Sequence, residues 1–198
     1  MSDAPRSGRA RRTARTRARQ RRSRRPIYIV VGAIASLAVV IGAMFFLSRA
    51  GRTEIEGLQT FSPLSQDHVQ VKVEYPQTPP VGGPHAPAWQ NCGYYDAPIG
   101  SENGVHSLEH GAVWITYHPD LAQDQVEVLR ALTRSQTYVL VSPFPDLPAP
   151  VVASAWGRQA QLESATDTRL DGFVRAFRQG PQTPEPGAVC NRGLGTPK

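Results

Sequence analysis

The sequence predicts an α+β domain, a small mixed sheet of about four to five strands with two helices packed on it, preceded by a single transmembrane helix. Three observations carry this. Ile27 to Leu47 is a run of twenty-one residues without a charge. Downstream, short β-branched or alternating stretches are mixed with two stretches of helical period. Their order is strand, long loop, strand, helix, strand, strand, helix, which is not the strict alternation of a parallel βαβ fold and places the helices on one face of a sheet. The chain has 198 residues, enough for one domain with extensions.

Charge divides the chain before structure does. The first 25 residues hold eleven arginines against Asp3, a net of +10, and the overall +6 therefore leaves −4 for everything that follows. The part expected to fold is mildly acidic, which excludes nucleic acid as its partner. Residues 1–26 are the Arg-rich tail and 27–47 the span, about 30 Å long as a helix at 1.5 Å per residue. Because the arginines precede the span, the positive-inside rule places the N-terminus in the cytoplasm and the C-terminal domain outside the cell membrane. Two other readings exist for this segment. Ser48-Arg49-Ala50 offers small residues where a signal peptidase cuts, but the apolar run exceeds the 7 to 15 residues of a signal-peptide core. Ser23 to Ile29 loosely matches a twin-arginine export signal, a weak match in a tail so rich in arginine.

Residues 48–66 read as a tether and 67–198 as the extracytoplasmic domain. In HVQVKVEYP, Val69, Val71, Val73 and Tyr75 alternate with polar residues, predicting a half-buried strand ended by Pro76. Thr78 to Gly104 is a loop too long for a plain connection, and Trp89, Cys92, Tyr94 and Tyr95 are not residues of disorder. Trp89 with Tyr94 and Tyr95 is a candidate pocket lining. Gly111 to Tyr117 suits a strand. Pro119 and Asp120 suit a helix start, and Leu121, Val128, Leu129 and Leu132 share one helical face through about Ser135. TYVLVSP and VVASAWG are strands, and DTRLDGFVRAFRQ is an amphipathic helix with Asp167 as N-cap.

Cys92 and Cys190 both lie on the exported side, where disulfides persist. A bridge is expected, with free thiols or a metal thiolate as the alternatives. A bridge removes sulfur from any metal site. No Ser/His/Asp elbow, phosphate-binding glycine loop or C-x-x-C pair is present, so no nucleotide enzyme or thiol oxidoreductase is predicted.

The five histidines are His68, His85, His106, His110 and His118. His106 and His110 stand as H-S-L-E-H, formally the H-x-x-E-H pattern of inverted zinc peptidases with Glu109 as base. Gly104 before it and the VWIT run after Gly111 leave room for one helical turn at most, which argues against a peptidase. The segments Y-P-x-x-P-P-x-G-G-P-H-x-x-x-W, C-G-x-Y and V-H-S-L-E-H-G-A-V resemble the family designated domain of unknown function 3105, from about Asp67 to the tail. The resemblance implies a membrane-anchored, exported bacterial protein and supplies no catalytic mechanism.

Neutral imidazole is the commonest protein ligand for zinc and copper. His85, His106 and His110 are the candidate metal ligands, with Glu109 or Glu102 as oxygen donor or supporting partner. His68 at a strand start and His118 before Pro119 read as structural. Met1 and Met44 are the only methionines, so the outer domain has no thioether for Cu(I), and nitrogen and oxygen donors favour Cu(II), Zn(II) or Fe. One copper or zinc ion in envelope metal handling is the expected function. An envelope scaffold for a protein partner, with structural histidines, and a metal-dependent hydrolase are the alternatives.

Overall fold

The computed structural model describes residues 28–44 and 54–198. The Arg-rich tail, both ends of the expected span and the Ser48-Arg49-Ala50 segment lie outside the described residues. Residues 28–44 form helix α1, about 25 Å long at 1.5 Å per residue, with its apolar side chains exposed. Among the described residues no helix is long and apolar enough to cross a membrane.

The compact unit Glu54–Lys198 is built on a six-stranded mixed sheet of order β1-β6-β5-β3-β4-β2. Its strands are β1 (Gln59–Thr60), β2 (Gly93–Tyr94), β3 (Val113–Tyr117), β4 (Val139–Pro143), β5 (Val151–Ala155) and β6 (Arg158–Leu162). β1, β6, β5 and β3 pair antiparallel, whereas β4 is parallel to both β3 and β2. The helices are α2 (Ser101–Glu109), α3 (Gln123–Ser135) and α4 (Thr168–Phe177). Strands β3 and β4 are parallel because α3 carries the chain back between them, as a parallel pair requires.

Both faces of the sheet are covered, which corrects the expectation of helices on one face. Successive strand residues point to opposite faces. Val113, Ile115, Tyr117, Val139 and Val141 pack with Val126 and Leu129 of α3 and with Leu170, Phe173 and Val174 of α4. Trp114 and Leu140, one residue out of phase, pack with Val105 and Leu108 of α2 and with Trp156. Central strands buried on both sides read as continuous apolar runs, and β3, β4 and β5 are buried at every position.

Other expectations change for local reasons. Residues 67–76 form no strand. His68 makes a single bridge to His85, and Val71 is exposed. The sheet edges are already taken by β1 and β2, so alternation here marks extended backbone without a sheet partner. Part of the expected tether joins the fold, since Ile55 is buried and β1 pairs with β6. Strand β6 follows the Trp156-Gly157 turn, where Gly157 has φ 65°. It was hidden because RQAQL is polar, yet its Gln159 is buried and donates to Pro79 O at 2.9 Å.

Helix α2 has nine residues, longer than the one turn expected, because Gly104 lies inside it. A Cβ at Gly104 would stand 2.6 Å from the Trp114 ring, so this glycine is there for packing. The helix stops at His110, and Gly111 with φ 92° turns the chain into β3. Asp167 caps α4 as expected, accepting from Arg169 N at 3.0 Å. Cys92 and Cys190 are bridged, with Cα atoms 5.4 Å apart across 98 residues. The bridge and the backbone bonds Asn91 N to Leu194 O and Leu194 N to Trp89 O bind the C-terminal tail onto the long loop.

Two stability outcomes follow. Gly104→Ala gains about 1 kcal/mol of helix propensity but overpacks against a fully buried ring at a cost of about 1–3 kcal/mol. Denaturant titration is expected to show net destabilisation rather than the gain usual for a helical glycine. Asp167→Ala is expected to cost about 1 kcal/mol through loss of the cap, read as a lowered midpoint with an unchanged m-value.

Candidate metal centre

The site lies where three separate stretches meet over the α2 face of the sheet. Residues 67–69 run beside residue 85, with Val69 N donating to His85 O at 2.7 Å and His85 N to Asp67 O at 3.0 Å. This ladder sets the His68 ring against the His85 ring, with centroids 4.8 Å apart. Helix α2 contributes His106 and Glu109 from its last turn, and its C-cap is His110. One potential ligand atom from each of His68, His85, His106 and Glu109 lies within 4.8 Å of all the others. His85, His106 and Glu109 are buried, whereas the His68 side chain is 45% exposed and opens the group to solvent.

The orientation of three of the rings is set by a backbone carbonyl. His85 Nδ1 donates to Gly83 O at 2.8 Å, His106 Nδ1 to Ala86 O at 2.7 Å, and His110 Nδ1 to Val189 O at 2.7 Å. A carbonyl oxygen only accepts, so the hydrogen in each case is on Nδ1 and a neutral ring presents a bare lone pair at Nε2. Those lone pairs point at other acceptors. His85 Nε2 is 2.9 Å from Glu109 Oε2, and His106 Nε2 is 3.0 Å from His110 Nε2. Glu109 Oε2 is also 3.7 Å from His68 Nε2. Two acceptors so close are satisfied only by a proton or a cation between them. Donors about 2.0–2.1 Å from one ion stand about 2.8–3.4 Å apart at angles of about 90–110°. An imidazole whose Nδ1–H is held by a carbonyl while Nε2 faces a carboxylate is the usual outer arrangement of a metal-bound histidine.

The surroundings are aromatic. The Trp156 ring stands edge-on to His85 at 5.8 Å, and Trp89 covers His110 at 4.8 Å and His106 at 5.7 Å. Burial pushes His106 down to about 4, a shift opposed by its bond to Ala86 and reinforced by the neighbouring rings of His110, His85 and His68. At neutral pH its Nε2 is therefore a lone pair available to a cation.

The structure brings His85, His106 and Glu109 together and sets His110 beside His106. It adds His68, whose position at the start of an alternating stretch predicts only a structural role. The signal was lost because His68 is brought in by an isolated bridge rather than by a motif. Glu102, the other oxygen candidate, is used elsewhere: its Oε1 accepts from Val73 N at 2.9 Å and braces the 67–76 segment. His118 accepts from Asp120 N at 3.2 Å at the end of β3, a structural role. The aromatics Trp89, Tyr94 and Tyr95 do not line one pocket. Tyr94 enters the α3/α4 core and Tyr95 joins the α2 side, leaving Trp89 alone at the histidines.

The low proton affinity of His106 makes stability pH-dependent. Its folded value, about 4, lies below its ordinary 6.5, so between those values the unfolded chain holds more protons and stability falls as pH falls. In the presence of a chelator, the unfolding free energy is expected to decline from pH 6.5 toward 4, and to do so less steeply in His106→Gln. Equal slopes for the two proteins would contradict this.

A model of the family of proteins of unknown function DUF3105 matches residues 68–192. Neither a curated protein nor a solved structure matches the chain. The matched stretch begins at His68 and takes in His85, His106, Glu109, His110 and both bridged cysteines. As the match spans more than half of its length, the chain belongs to the DUF3105 family.

Proposed function

We propose that this protein is a membrane-anchored, extracytoplasmic metal-binding protein that holds a divalent transition-metal ion, copper(II) or zinc, through His68, His85, His106 and Glu109. The observation that carries this is the gathering of one potential ligand atom from each of His68, His85, His106 and Glu109 within 4.8 Å of the others, with the Nδ1 hydrogens of His85 and His106 committed to Gly83 O and Ala86 O. The donor set is nitrogen and oxygen only, because both cysteines are consumed in the disulfide and no methionine lies beyond Met44. Such a set suits Zn(II) or Cu(II) and not Cu(I). Placement outside the cytoplasm is supported by the disulfide and by the arginine tail ahead of the uncharged run. The 45% exposure of His68 provides the path by which an ion reaches donors that are otherwise buried.

Calorimetric titration of the full chain in detergent micelles, stripped with chelator and kept oxidised, tests the reading. Wild type is expected to bind Zn(II) or Cu(II). His85→Ala and Glu109→Gln are expected to weaken binding by about 100-fold or more, at or above the 10–100-fold cost of losing an outer partner. Heats unchanged in both variants would leave these histidines a structural hydrogen-bonding set and the protein a scaffold.

A further inference from the structure

The four-donor group leaves one pair of acceptors unexplained. His106 Nε2 and His110 Nε2 face each other at 3.0 Å, both Nδ1 hydrogens being committed to carbonyls. One ion drawn in by His68, His85 and Glu109 does not account for His110, whose side chain is only 5% exposed. A carboxylate from the C-terminal tail completes the picture. Glu185 Oε2 lies 3.4 Å from His110 Nε2, and Glu185 N donates to Glu109 O at 3.1 Å, which anchors that residue at the end of α2.

We propose that the centre is dinuclear, with a second divalent transition-metal ion held by His106, His110 and Glu185 beside the ion held by His68, His85 and Glu109. The inference rests on the metal-binding reading above. When both ions are present, the six donors divide into two sets of the same composition, two imidazoles and one carboxylate each. His106 goes with His110 because their nitrogens are the closest imidazole pair and because its Nδ1, bonded to Ala86 O, is not free to bridge. The sets are close, since one ring nitrogen of His106 lies within 4.8 Å of a potential ligand atom of each residue of the first set. Two-metal sites hold their ions about 3.5–4 Å apart, which requires donor sets that adjoin in this way. Three protein donors per ion leave coordination positions for water, as in open metal sites. Trp89 closes the second position on one side, 4.8 Å from the His110 ring, while the 49% exposed Glu185 side chain stands toward solvent.

The test uses the full chain in detergent with its disulfide intact, stripped and then loaded with Zn(II) alone, desalted and assayed for metal per chain. Wild type is expected to retain two equivalents, and His110→Ala and Glu185→Ala one each. Glu185 is half exposed, so its variant keeps the metal-free unfolding midpoint and separates loss of a ligand from loss of the fold. One equivalent in wild type and in both variants would overturn the second site while leaving the single-ion reading standing. No metal in wild type would overturn both. Loading with Cu(II) alone gives an independent readout. At two equivalents the integrated paramagnetic signal of wild type is expected to fall well below two spins through coupling of adjacent ions, whereas His110→Ala shows one full uncoupled spin. Two full spins in wild type would overturn the proposal.

Discussion

Three backbone carbonyls, those of Gly83, Ala86 and Val189, set the ring orientations on which the geometry of the candidate site depends. Each takes the Nδ1 hydrogen of a buried histidine, so each ring is held in one tautomer with its Nε2 turned inward. The carbonyls belong to the long loop and the tail, at positions that lie in no strand or helix themselves. They are held instead by the bridge between Cys92 and Cys190, by backbone bonds between residues 89–91 and Leu194, and by the pairing of Cys92 N with Cys190 O. The disulfide thus matters twice. It restricts the unfolded chain across 98 residues, a contribution of about 4.7 kcal/mol for a loop of about 100 residues in the chain-entropy picture. It also fixes the segment that orients His110.

The sheet supplies a floor for this arrangement. β3 and β4 are apolar on both faces because α3 and α4 cover one side and α2 the other. Helix α2 sits close enough for Gly104 to lie directly on Trp114, whose Nε1 donates to Ser142 Oγ at 3.0 Å. That close approach fixes the height and rotation of α2, and with them the positions of His106 and Glu109. Hydrogen bonds from Gln90 N to Ser107 Oγ and from Ser107 Oγ to Gln90 O tie the long loop to the same helix. The polar site is therefore built on an apolar base, with its loop and tail segments tied down by hydrogen bonds.

Much of this was legible in residue patterns, with limits that are themselves physical. The buried strands β3, β4 and β5, the helices α3 and α4 and the Asp167 cap all announce themselves through periodicity and capping chemistry. Gly104 misled because a glycine required for close packing looks the same in sequence as one that breaks a helix. β6 was missed because its polar residues find buried partners, Gln159 reaching Pro79 O and Ser154 Oγ. The 67–76 segment has the alternation of a strand but pairs only through the bridge of His68 to His85. Its real contribution, delivering His68, depends on that single bridge, which no local pattern reveals. Glu185 likewise sits in a Pro/Gly-rich tail without periodicity and gains meaning only from where the disulfide places that tail.

The sequence by itself determined which side chains are available: histidine and carboxylate without methionine beyond Met44, cysteines suited to a bridge, and a strongly basic tail ahead of an uncharged run. It also determined that one helix turn presents His106, Glu109 and His110 together, since residues three and four apart share a helical face. Only the tertiary structure decided which histidines from distant stretches meet, and with which nitrogen. Convergence depends on loop backbone paths and on the carbonyls they aim. Those are set by long-range hydrogen bonds and a covalent staple rather than by the propensities of neighbouring residues.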